Sequence, residues 1–91
     1  MTTIAPTLTA EERDLARHAL GLGGRRRVSY RNHFVCDTDP TWESLVARGL
    51  ATVRRSAEAS GGMHTYRLTR AGAEAALALG ERLAPEDLPP A

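Results

Sequence analysis

The 91 residues carry twelve basic and eleven acidic side chains, a formal charge of +1, with 42% hydrophobic residues and one cysteine. This length excludes two separately folded domains, and the near-average apolar share excludes a generally disordered chain. One cysteine excludes an internal disulfide, and no apolar run approaches the ~20 residues of a membrane helix.

Residues 1–7 show no periodic pattern, and 1–8 are expected to be a flexible lead-in without the basic and apolar regions of a signal peptide. Cytoplasmic residence follows as the default expectation. Thr9 stands three before Glu12, a capping box that opens a helix over roughly 9–21. Leu8, Leu15, Ala19 and Leu22 share its apolar side, and Glu11, Arg13, Asp14 and Arg17 are expected outside. Gly21, Gly23 and Gly24 end it. In residues 28–35, Val28, Tyr30 and Phe34 fall on alternating positions, as in a strand. Tyr30 and Phe34 are also four apart, as in a helical turn, so both forms stay open. Asp39 and Pro40 are a cap and first-turn pair for a helix over roughly 40–48, with Trp42, Leu45 and Val46 inward and Gly49 as terminator. Residues 51–55 and 63–68 alternate like two strands of a hairpin, the second with Tyr66 and Leu68 on one face. Thr69 caps a last helix over roughly 70–83, burying Ala73, Ala76, Leu77 and Leu83. Pro85, Pro89 and Pro90 stop it and leave a mobile acidic tail over 84–91.

All twelve cations are arginine. They are unevenly spread. Residues 1–24 hold two Arg against three acids (−1), 25–70 nine against four (+5), and 71–91 one against four (−3). A basic middle between acidic ends suggests one cationic face, beside the plainer reading of ordinary solvated surface charge.

The predicted order makes a small α+β domain over 9–83, with three helices and a two- to three-stranded antiparallel sheet. Leu45-Val46-Ala47-Arg48-Gly49-Leu50, the hairpin, and Tyr66-Arg67-Leu68-Thr69-Arg70-Ala71-Gly72 followed by Leu77 resemble the second half of a winged-helix domain of the MarR and PadR type of transcription regulator. In that family the Gly-Leu pair turns the recognition helix into the first wing strand, and Leu-Thr-x-x-Gly turns the second strand into the closing helix. The whole chain, and Tyr30-Arg31-Asn32-His33-Phe34 in particular, is also similar to small proteins of phages and prophages, which implies a phage setting and no particular activity. The winged-helix resemblance implies a duplex-DNA-binding regulator, expected to be non-enzymatic. Thr41, Ser44 and Arg48 would face the major groove, and Arg25, Arg26, Arg27, Arg31, Arg54 and Arg55 would hold phosphates. The chain departs from the family in two places. Residues 25–38 barely provide the helix that should precede a recognition helix, and the wing tip Ala57-Glu58-Ala59-Ser60 carries an acid and no Arg. These departures favour the alternative, a protein-binding module or inhibitor that occupies a host complex.

Other constellations give less. His33-x-x-Cys36 with Asp37 and Asp39 invites a metal, but His18 and His64 have no paired partner in the sequence. A structural thiol and a loop histidine are the simpler reading, so no metal or other cofactor is expected. Trp42 is expected in the core rather than as a partner anchor. Ala71, Ala75 and Ala78 would let a second copy approach closely, a homodimer that would add burial to an Ala-rich core, or they reflect helix propensity alone. Gly21-Leu22-Gly23-Gly24 follows a helix rather than a strand and lacks a P-loop lysine. Ser29, Ser44, Ser56 and Ser60 sit near no evident His–acid pair, so no catalytic residue is assigned.

Overall fold

A computed structural model describes residues 7–55 and 63–88. Most of the expected lead-in, the hairpin link with its wing tip, Ser56, Ser60, and the tail from Pro89 onward lie outside them. The described elements are helix α1 (Ala10–Leu20), strand β1 (Phe34–Cys36), helix α2 (Pro40–Ala47), strands β2 (Ala51–Arg54) and β3 (His64–Leu68), helix α3 (Arg70–Ala75) and a 3-10 turn (Pro85–Asp87). The strands form one antiparallel sheet in the order β1-β3-β2.

Local chemistry sets the helix ends. The Glu12 N–H donates to Thr9 Oγ1 at 3.1 Å, and the Thr9 N–H donates to Glu12 Oε1 at 2.9 Å, so both halves of the capping box form. Asp39 Oδ1 accepts from the Thr41 and Trp42 N–H groups, and Pro40 occupies the first turn. α2 stops at Gly49, whose φ of 76° is left-handed, and the Leu50 N–H returns to the Leu45 carbonyl at 2.9 Å.

The core lies between the inner sheet face and the helices. Trp42 is fully buried and stacks on Tyr66 at 5.3 Å and 16°, with Phe34 at 5.6 Å on its other neighbour contact. Ala16, Ala19, Leu20, Leu45, Leu68, Ala73 and Ala76 close around them. Burying each large apolar side chain stabilises by roughly 1.5–3 kcal/mol. Trp42 is thus a core residue, as its phase with Leu45 predicts. Its indole N–H has no hydrogen-bond partner among the described residues.

The two motifs that carry the winged-helix resemblance meet in space. The Thr69 N–H donates to the Leu50 carbonyl at 3.1 Å, and Thr69 Oγ1 donates to the Gly49 carbonyl at 3.0 Å while accepting from the Gly72 N–H at 3.2 Å. Gly72 packs so tightly here that an added Cβ would stand 2.0 Å from the Leu50 carbonyl oxygen.

Several expectations are corrected. The last helix ends at Ala75 rather than near 83. Competing bonds end it. Arg17 donates to the Ala76 carbonyl at 3.0 Å, Glu81 accepts from the Ala78 N–H at 2.7 Å, and residues 82–84 run beside 27–29. In that ladder the Arg82 N–H donates to the Arg27 carbonyl, the Ser29 N–H to the Arg82 carbonyl, and the buried Ser29 Oγ accepts from Ala84. Residues 28–35 are accordingly neither one strand nor a helix: Val28 bridges Arg82, and β1 begins only at Phe34. Arg17, expected outside, is ion-paired to Glu81. Residues 84–88 of the expected mobile tail form the 3-10 turn and put Leu88 into the core.

Gly72→Ala is expected to lower unfolding stability by roughly 1–3 kcal/mol, because the clash is with backbone that cannot swing away. Urea denaturation of the two proteins checks this, and an unchanged midpoint would contradict the Leu50–Gly72 contact.

Candidate nucleic-acid interface

Strand alternation sorts the sheet side chains into two faces. Phe34, Tyr66 and Val53 lie in one register row and face the core. The next row, Val35, Thr65 and Arg54, faces outward, as do Arg67 and Thr52 in the row beyond. Val35 keeps about half its surface exposed.

Beside β1 the chain leaves the ladder. The Phe34–Tyr66 register would set Asn32 opposite Leu68, and there the Asn32 side chain replaces the backbone. Its Nδ2 donates to the Leu68 carbonyl at 3.0 Å, and its Oδ1 accepts from the Leu68 N–H at 2.9 Å. The Tyr30 and His33 N–H groups donate instead to the Leu20 and Ala19 carbonyls at the end of α1. This pinning holds Arg31 and His33 next to the outer face. Arg31 donates twice to the His18 carbonyl, at 3.2 and 2.7 Å. Tyr30 lies against Gly21, where a Cβ would fall 2.1 Å from the ring, and the guanidinium groups of Arg26 and Arg31 sit 4.2 and 5.2 Å from its centroid.

The predicted site residues divide into two groups. Among the described residues, three of the twelve arginines are ion-paired: Arg17 to Glu81, Arg48 to Glu12 and Arg55 to Glu43. The other nine have no ion pair among the described residues. Two of the residues expected to read base edges are turned into the α1–α2 contact. Arg48 Nη1 is 2.8 Å from the buried Glu12 carboxylate, Arg48 Nη2 donates to the Thr7 carbonyl at 2.6 Å, and Ser44 Oγ donates to Glu12 at 3.3 Å. Thr41 is half-buried at the start of α2. Of the phosphate candidates, Arg55 is held by Glu43, whereas Arg25, Arg26, Arg27 and Arg54 are exposed and Arg31 is half-buried. The structure adds Arg67, His33 and His18, which border the same face. Arg67 was within reach of the sequence: alternation that turns Tyr66 and Leu68 inward turns Arg67 out.

The three ion-paired carboxyls, Glu12, Glu43 and Glu81, are held below their usual values. Burial pushes Glu12 up, but the Thr9 N–H, Arg48 and Ser44 outweigh it and hold the carboxyl below its usual value. Arg55 and the Tyr66 hydroxyl lower Glu43. The Arg17 guanidinium and then the Ala78 N–H hold Glu81 down at about 2. Burial, then Asp39 and Asp37, push the Cys36 thiol up, which keeps it protonated and a poor nucleophile. Among the described residues no three His, Cys, Asp or Glu side chains gather as a metal site, and no helix is long and apolar enough to cross a membrane.

Comparison of the chain with protein-family models, with curated proteins and with solved structures finds no match.

Glu81 has a folded-state value near 2 against an ordinary 4.5, so its contribution to stability is complete above about pH 4.5 and is lost as pH falls toward 2. Glu81→Gln should be less stable than the parent at pH 7 and should show a shallower stability loss between pH 5 and 2. Urea titrations across that range test it, and parallel acid limbs would remove Glu81 as a source of the pH dependence.

Proposed function

We propose that this chain is a small, non-enzymatic DNA-binding module of winged-helix-like build, serving as a regulator in a phage setting. One observation carries the reading. Arg31, Arg54 and Arg67 have no carboxylate partner among the described residues and border the exposed side of the sheet, and Arg26, likewise without one, lies against the Tyr30 ring. Unpaired guanidinium groups in proximity repel one another, and phosphates relieve that repulsion with bidentate bonds. The corner of Gly49-Leu50 and Thr69-Arg70-Ala71-Gly72 supports the winged-helix-like build, because both family motifs work here as a helix stop and a helix cap.

A second reading, a protein-binding module that occupies a host complex, draws on a different observation. The polar side chains Ser44 and Arg48 of α2 are engaged by Glu12, while Tyr30 and Val35 are about half exposed near the unpaired arginines. Tyr and Arg together are common anchors of protein interfaces.

Fluorescence anisotropy with a 20-base-pair duplex, as a chosen probe of about two helical turns, separates the two readings. Four phosphate contacts imply an affinity loss of about 10²-fold between 50 and 200 mM salt. Absence of duplex binding at 50 mM salt, with a partner retained from nuclease-treated host lysate, would favour the second reading over the first.

A further inference from the structure

We propose that the DNA contact is made by the outer face of the sheet rather than by α2, and that it grips the phosphate backbone of duplex DNA without regard to base sequence. This inference rests on the DNA reading above and specifies its site and ligand. Three grooves adjoin on this face. The first, of about 280 Å³, lies between the end of α1 and β1 and is lined by His18, Arg31, His33, Phe34 and Val35. The second, of about 320 Å³, shares Arg31 and His33 and reaches Arg67. The third, of about 290 Å³, shares Arg67 and ends at Thr52, Thr65 and Arg54. Shared walls make the three one track, marked in succession by Arg31, Arg67 and Arg54. Glu86 at the second groove is the carboxylate residue among the lining side chains.

The chemistry of the track selects a backbone. Arg31 donates its Nε and Nη2 to a neutral carbonyl and forms no ion pair among the described residues. Thr52 and Thr65 add hydroxyl groups suited to phosphate oxygens. A single strand with splayed bases would need an open aromatic surface on which to stack. Tyr30, the exposed aromatic at the second groove, already has two guanidinium groups against its ring. Base reading by α2 would need Ser44 and Arg48, and Glu12 holds both. Phosphate contacts position a protein without conveying sequence, so the track binds unrelated duplexes alike.

Anisotropy titrations of the full chain with two duplexes of unrelated sequence, and with one of their single strands, test the proposal. The two duplexes should bind within about threefold of each other and more tightly than the single strand. Arg54→Ala/Arg67→Ala should weaken duplex binding more than about tenfold at 100 mM salt and reduce the salt slope by about 2. Both side chains point outward without an ion pair among the described residues, so the double variant should melt like the parent. Arg67→Glu alone should weaken binding further than Arg67→Ala. Arg13→Ala, on the Glu81 side of α1, should change binding little. Parent-like binding by the double variant, with loss in Arg48→Ala, would overturn the track and leave the DNA reading standing. A tenfold preference for one duplex would overturn backbone gripping, and tighter single-strand binding would overturn the choice of duplex. No duplex binding by the parent at 50 mM salt would remove the DNA reading itself.

Discussion

The Asn32 amide against the Leu68 backbone is the contact on which the exposed side of the molecule depends. A third strand could have continued the ladder through residues 32 and 31. Instead a side chain supplies both hydrogen bonds that the main chain would have made. Buried polar groups must be paired, so this substitution frees the backbone around Tyr30 and His33 to pair elsewhere at no loss to Leu68. The freed segment bonds to the end of α1 and to residues 82–84. The Arg31 loop is thereby anchored from three sides, although it contains little regular structure.

Glu12 has a comparable double role on the opposite side. It completes the capping box of α1 and accepts from Arg48 and Ser44 of α2. Removing a buried ion-pair partner leaves an uncompensated charge, which is costly even where the intact pair adds little net stability. The α1–α2 contact thus uses the polar groups that a recognition helix would turn to DNA. The ion pairs of Arg17 and Arg48 lie among the helices, whereas Arg54 and Arg67 stand on the outer sheet face without one among the described residues.

Much of the fold was legible because its signals are local. Thr9 with Glu12, Asp39 with Pro40, Gly49 with Leu50 and Thr69 with Gly72 each fix a helix end within a few residues. Alternation placed Tyr66 and Leu68 inside. The end of α3 was not legible, since the Ala-rich run is helix-favouring and, beside the local Glu81–Ala78 bond, the bonds that compete with it come from Arg17 and Arg27, more than fifty residues away in sequence. The fate of Arg48 was hidden for the same reason: helical spacing gives a side chain's direction but not which element lies across from it. The sequence did place most of the arginines of the candidate site in one basic stretch. It did not reveal which would be neutralised by carboxylates, because Glu12 and Glu43 reach Arg48 and Arg55 only after folding.

The sealed indole has an optical consequence. Trp42 is the chain's one tryptophan, fully enclosed and stacked on Tyr66. Its emission therefore reports the dryness of the interior, and it lies behind the sheet from Arg54, Arg67 and Thr52. A ligand seated on that far side leaves the spectrum in place, whereas loosening of the helices against the sheet wets the ring and shifts it to the red. One intrinsic chromophore thus distinguishes occupancy of the surface from disruption of the scaffold.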